Sequence, residues 1–307
     1  MTKQLKCIIY LIWIGLLTVF LTVPLNSTWA NDKKLVVGSK GFTEQRLLGQ
    51  IMILLLEKQG FQVEDKTGLG GTMVVRNALE SKQIDIYMEY TGTALVTTHK
   101  HKTIITDPLE CYRFVKKADE KNGIVWLPYI PVNDTYCLMM RKEDAKNIGV
   151  ASLSDLANYV NAHPKELSLS IGPEFSVRPD GYKQLQKKYG FNFLPDNIVK
   201  MSPGLVYKAL REGQVQVAMG FTTDGRIKAF DLTVLEDDLK YFPVYNPAPL
   251  VKKETLAAYP ELEKIFKLLA KHLNSNSIMK NLNYQVDGEH RNIKEVASEW
   301  LKSVGLI

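Results

Sequence analysis

Residues 81–93 set the pattern for the rest of the chain. Ile84, Ile86 and Met88 alternate with polar positions at a period of two, which predicts a short half-buried strand ending at Tyr90 and followed at once by a turn at Gly92. The strand end then presents one aromatic ring and the hydroxyls of Thr91 and Thr93, and ligands of open α/β sheets lodge at such ends. A plain core position would account for Tyr90 alone equally well. The pattern returns, however: residues 78–93 are answered by residues 209–223, with Tyr90 falling on Phe221 (221 − 90 = 131). Each copy reads as helix, tight turn and strand ending in an aromatic. Residues 34–42 and 166–175 form a fainter pair, each an apolar strand entering a Gly-containing loop and then Phe. Two such units predict two similar lobes, the alternative being a chance likeness of amphipathic units.

Around these copies the remaining elements fall into order. A strand at 34–38 runs through Ser39-Lys40-Gly41-Phe42 into a helix, with Leu47, Leu48, Ile51, Leu54 and Leu55 at helical spacing, Thr43 as its expected cap and Gly60 as its stop. Lys40 thus stands beside a positive helix end that can hold an anion, or is an ordinary solvated lysine. Residues 61–65 read as a strand. The glycine cluster at 68–72 lacks the spacing of a phosphate cradle and reads as close backbone approach or the start of a helix over 73–81. Asp107-Pro108 opens another helix, ending near Gly123. Strands at 124–132 and 136–141 flank the polar stretch Asn133-Asp134-Thr135, which marks a crossing between lobes. The second lobe continues with strands and helices at 167–171, 181–189, 191–200, 203–212 and 215–219. Its loop places Arg178 before a helix, and a guanidinium fork grips a carboxylate at two points. The chain returns at 241–249, where the prolines exclude a central strand and predict a stiff connector carrying Tyr241 and Tyr245. Helices at 261–273, 277–282 and 293–304 complete the first lobe. The expected architecture is α/β and two-lobed: lobe 1 at 31–134 plus 247–307, lobe 2 at 137–241, and crossings near 133–137 and 241–247.

The first 30 residues read as an address. Lys3 and Lys6 precede an apolar run at 7–23, then Pro24 and Thr28-Trp29-Ala30 before Asn31, the order of a secretory signal peptide cleaved after Ala30. The run is also long enough for an uncleaved anchor. Cys7 is the only early cysteine and no Leu-x-Gly-Cys box surrounds it, so a soluble periplasmic protein is expected. Losing the two lysines lowers the formal charge from +6 to +4 (37 basic, 33 acidic), too mild for nucleic-acid or membrane-surface binding. Cys111 and Cys137 remain, either bridged in an oxidising compartment or buried as small hydrophobes. Chemistry is thin. His99 and His101 lack a third ligand, no Gly-x-Ser-x-Gly or His-Glu-x-x-His pattern occurs, and Asp85/Glu89 and Asp237/Asp238 read as strand-edge and turn residues. No catalytic activity, metal or cofactor is expected.

Six ordered blocks carry a resemblance: Gly38-Ser-Lys-Gly-Phe-Thr-Glu-Gln45, Leu69-Gly-Gly-Thr72, Ile84-Asp-Ile-Tyr-Met-Glu-Tyr-Thr-Gly-Thr93, Asn133-Asp-Thr-Tyr136, Thr222-Thr-Asp-Gly-Arg226 and Phe242-Pro-Val-Tyr-Asn-Pro-Ala-Pro249. Together they resemble the substrate-binding proteins of glycine betaine/carnitine/choline ABC transporters. The resemblance implies a type II periplasmic-binding-protein clamshell, each lobe a mixed sheet flanked by helices, that delivers an osmoprotectant to membrane permease subunits. It implies an aromatic cage of Tyr90, Tyr136, Phe221 and Tyr245 around a quaternary ammonium, with Lys40, Thr93 and Arg178 on the ligand carboxylate. The family usually has tyrosine where Phe221 stands, so one hydroxyl is lost from the cage. Expected partners are a small quaternary amine (glycine betaine, carnitine, proline betaine or choline) and the permease, with no nucleic acid and a monomeric chain. A zwitterion would satisfy cage and cations together, whereas choline would leave Lys40 and Arg178 unpaired. The alternatives are a binding protein for another small polar solute, such as an amino acid, and a ligand-sensing periplasmic protein.

Overall fold

The computed structural model describes residues 33–307, so the expected signal peptide at 1–30 lies outside the described residues. In chain order the strands are β1 (Lys34–Lys40), β2 (Gln62–Gly70), β3 (Ile86–Tyr90), β4 (Ile124–Trp126) and β5 (Tyr136–Arg141). They continue as β6 (Leu169–Ile171), β7 (Ile198–Lys200), β8 (Val217–Phe221), β9 (Leu232–Val234) and β10 (Pro247–Lys252). Two mixed sheets result, ordered β2-β1-β3-β10-β4 and β7-β6-β8-β5-β9. The longer helices are α1 (Thr43–Lys58), α2 (Thr72–Glu80), α3 (Pro108–Glu120), α4 (Leu153–Ala162), α5 (Tyr182–Tyr189), α6 (Pro203–Arg211), α7 (Glu261–His272), α8 (Asn276–Asp287) and α9 (Ile293–Ser303).

The internal repeat is structural. Helix α6 is displaced from α2, and strand β8 from β3, by the same 131 positions at both ends of each element. Each of the two strands pairs in parallel with the strand on one side, β1 or β6, and antiparallel with a strand entering from the other part of the chain, β10 or β5. Tyr90 lies opposite Pro247, and Phe221 opposite Tyr136.

Two expectations about these strands fail, for physical reasons. Strand β3 is not half-buried: all five residues are buried. Its period of two sorts side chains between two cores, with Ile86 and Met88 against α1 and Tyr87 against Val75 and Leu79 of α2. A strand inside a sheet covered on both faces has no solvent side. Strand β10 is likewise no mere connector, because it lies inside its sheet despite Pro247 and Pro249. The carbonyls of both prolines accept from the N–H groups of Ile130 and Leu127. In a strand the N and C=O of one residue face the same side, so the missing donors fall toward residues 127–130, beyond the end of β4, and not toward β3. The expected strand at 124–132 accordingly shortens to β4.

Smaller differences concern caps and cysteines. Phe42, not Thr43, is the N-cap of α1, and the Thr43 hydroxyl instead donates to Asp287 at 2.8 Å. Asp107 caps α3 as expected, accepting from the Glu110 N–H, with Pro108 in first position. The glycine cluster starts a helix, as one of its two readings had it: Gly71 is the N-cap of α2, while Gly68 and Gly70 close β2 with φ of 84° and 143°. Cys111 on α3 and Cys137 on β5 are free and buried, so they are not bridged. Among the described residues no helix is long and apolar enough to cross a membrane, and no group of side chains is arranged to hold a metal.

After β3 the chain turns through Thr91–Thr93 against the strand that returns as β10. A Cβ at Gly92 would stand 2.5 Å from the Val244 carbonyl oxygen and 2.9 Å from the Tyr245 ring, so only glycine lets the two segments approach this closely. Gly92→Ala is expected to lower unfolding free energy by about 1–3 kcal/mol, read from the urea midpoint. An unmoved midpoint would contradict the close approach.

Candidate functional site

The ends of the paired strands meet at one cavity of about 740 Å³. All seven residues singled out from the sequence line it: Tyr90, Tyr136, Phe221, Tyr245, Lys40, Thr93 and Arg178. Tyr90 and Phe221 come from the carboxyl ends of β3 and β8, Tyr136 from the start of β5, and Tyr245 from the segment just before β10. Tyr136 is the hub. Its ring lies 4.9 Å from that of Phe221 and 5.6 Å, edge-on, from that of Tyr245. Two rings not foreseen join the cluster: Phe175 stands 4.8 Å from Tyr136, and Phe42 stacks on both Phe221 at 5.0 Å and Tyr90 at 6.2 Å. Both follow the fainter strand-loop-Phe repeat, which held the signal that would have found them.

The hydroxyls of two of these tyrosines are anchored on carboxylates. Tyr90 donates to Glu44 at 2.9 Å and Tyr245 to Asp180 at 2.5 Å. The segments expected as crossings lie side by side: the Tyr245 N–H donates to the Asn133 side chain at 2.7 Å, the Asp134 N–H to the Tyr245 carbonyl at 3.1 Å, and the Asn246 amide to the Val132 carbonyl at 2.8 Å.

Both cations are buried and already paired within the chain. Lys40 Nζ reaches Glu89 Oε1 at 2.5 Å, and Arg178 forks onto Asp180 with two contacts of 2.7 Å. A third arm of Arg178 reaches Glu174 Oε1 at 3.3 Å. Each cation also faces one of the rings, Lys40 at 5.3 Å from the Tyr90 centroid and Arg178 at 5.2 Å from that of Tyr136. The expectation that a ligand without a carboxylate would strand these two charges therefore fails, since desolvated cations are kept only with partners and these have theirs.

Residues 33–303 match the protein family described as the substrate-binding domain of ABC-type glycine betaine transport systems. The chain belongs to that family. This substrate-binding domain is 41% identical over 283 residues to the glycine-betaine-binding protein of Pseudomonas aeruginosa, covering 91% of the chain and 90% of that protein. It is 35% identical over 285 residues to the ergothioneine transport permease/ergothioneine binding protein EgtU of Helicobacter pylori, covering 92% of the chain but half the length of EgtU. A solved structure described as a glycine betaine/carnitine/choline ABC transporter superposes with a TM-score of 0.71 at 31% identity, covering 89% of the chain and 99% of that structure. The two mixed sheets are those of the type II periplasmic-binding-protein fold, a fold of solute binding.

Behind the rings this substrate-binding domain buries a second group that the sequence did not betray. Glu44 accepts from the hydroxyls of Tyr90 and Thr223 and from the Asn283 amide. The same Thr223 Oγ1 stands 2.5 Å from Glu44 Oε2 and 2.5 Å from Asp134 Oδ1. A hydroxyl has one proton to give, so one of these two carboxyls must supply the other hydrogen and stay protonated. Burial raises the Glu44 carboxyl, against the hydrogen bonds it accepts, and burial together with the Glu44 charge raises Asp134 well above the carboxylate range.

A carboxyl with a raised folded pKa contributes stability that is fully present below its unfolded value and is lost as pH rises through the folded one. Asp134→Asn, which mimics the protonated form, is expected to gain stability relative to the natural chain as pH rises from about 4 to 8. Thermal melts across that range check it; a constant difference would show that Asp134 holds no proton.

Proposed function

We propose that the chain captures a quaternary-ammonium osmoprotectant between its two sheets and delivers it to an ABC permease. The observation that carries this reading is the convergence of Tyr90, Tyr136, Phe221 and Tyr245, drawn from both sheets and both antiparallel connections, on one cavity. A trimethylammonium has no N–H to donate and is held by ring faces, each contributing about 0.5–2 kcal/mol. In this reading the four rings form the cage, and Lys40, Thr93 and Arg178 attend the polar end of the ligand. Lobes at 31–134 plus 247–307 and at 137–241 close about crossings near 133–137 and 241–247, because a ring set divided between them is complete only when they shut.

Family membership supports a solute-binding role in ABC import without catalysis, and the Pseudomonas relative is named for glycine betaine. The remaining parts of the reading are a monomer, exported by a signal peptide at 1–30 to the periplasm, that docks on permease subunits. The cavity's size favours a second, bulkier class of ligand: about 740 Å³ lies in the range of pockets for drug-sized molecules, and the Helicobacter relative is named for ergothioneine.

Calorimetry with glycine betaine, carnitine, proline betaine and choline is expected to show one saturable site for at least one of them. Flat heats throughout would end the reading. Tyr136→Ala, which removes the hub ring, is expected to weaken that binding by about tenfold or more, equivalent to about 1.4 kcal/mol. Unchanged affinity in this variant would remove Tyr136 from the cage.

A further inference from the structure

The anion end of the cavity already contains a carboxylate that none of the expected roles includes. Glu174 comes from the loop after β6, in the same sheet-to-helix connection as Arg178, and reaches the start of α2 on the other sheet. Thr72 Oγ1 donates to Glu174 Oε1 at 2.7 Å and the Thr72 N–H points to Oε2 at 3.4 Å, where the exposed amides of a helix start favour negative charge. Gly71 leaves the room, since a Cβ there would lie 3.0 Å from Oε2. Arg178 Nη1 is 3.3 Å from Oε1. Burial works to raise the Glu174 carboxyl, but Lys40, Thr72 and Arg178 together hold it below its usual range.

Three carboxylates are set against two buried cations here. Lys40 faces Glu89, Arg178 faces Asp180, and Glu174 is a third carboxylate set against the same two cations. A ligand carboxylate arriving here would be a fourth. It would share Lys40 and Arg178 with Glu174, push Glu174 away from Thr72, or turn to Arg46, which also lines the cavity, and in the first two cases like charges in one partly desolvated site oppose each other. A ligand that ends in a hydroxyl meets neither cost.

We propose that Glu174 is a specificity-determining residue that occupies the anion position of the cavity and biases the protein toward quaternary amines without a carboxylate. The inference rests on the quaternary-amine reading and deepens it by naming what selects the tail.

Glu174→Gln tests it, because glutamine keeps a carbonyl acceptor for Thr72 and removes only the charge. Calorimetric titration of glycine betaine and choline into the natural chain and the variant is expected to shift the ratio of their dissociation constants about tenfold in favour of glycine betaine. A companion variant, Thr72→Val, loses the hydroxyl partner but keeps the charge, and it is expected to change both affinities by a common factor. If Glu174→Gln also moves both ligands by one factor, or moves the ratio toward choline, Glu174 is a bridge between the sheets and not a selector. If the natural chain takes up neither ligand, there is no choice of tail for Glu174 to exert and this inference falls, while the quaternary-amine reading stands or falls separately on the four-ligand calorimetry.

Discussion

Two antiparallel registers hold the ring cluster in place, Tyr90 opposite Pro247 and Tyr136 opposite Phe221. In each sheet the central strand that ends in an aromatic is paired with a strand that enters from the other part of the chain. The ring-bearing ends therefore meet at one cavity. Side chains alternate strictly along a strand, so a slip of one residue in either pairing would turn its ring to the opposite face. The hydrogen bonds from Tyr245 and Asn246 to Asn133 and Val132 tie the entering segments to each other just where those registers begin.

The same enclosure dictates how charge is handled. Lys40 and Arg178 are 4% and 6% exposed, where a charge without a partner is costly, and each holds both a carboxylate and a ring face. Their pairing leaves aromatic faces and hydrogen-bonded charge on the walls of the cavity. At the back, Glu44, Thr223 and Asp134 meet under one threonine hydroxyl, joining α1, the turn after β8 and the segment before β5. Tyr90 is attached to that group through its own hydroxyl, so the position of one ring and the protonation of a buried carboxyl are physically connected.

Much of this was legible in the chain because it is local or periodic. The repeat at 78–93 and 209–223 identified helices and strands that the structure repeats at the same offset, since a helix-turn-strand unit is specified by nearby residues. The seven residues singled out for one site do line one cavity. Where the reading failed, neighbours distant in sequence had intervened. The polar positions of β3 looked solvent-facing, yet Glu89 is buried because Lys40, 49 residues away, neutralises it. The prolines of β10 argued against an inner strand, yet residues 127–130 require no donor from them.

What the sequence determined on its own is the type of most main elements, the internal duplication, the kind of residue at the repeated strand ends and the absence of a catalytic pattern among its motifs. These depend on periodicity, caps and turn residues within a few positions of one another. Only the tertiary structure decided which carboxylates partner the two buried cations, that Phe42 and Phe175 join the rings, and that Glu174 reaches the start of α2. Those outcomes are set by which surfaces come within a few ångströms after folding. Charge pairing and ring stacking act over that distance and leave no trace in the spacing along the chain.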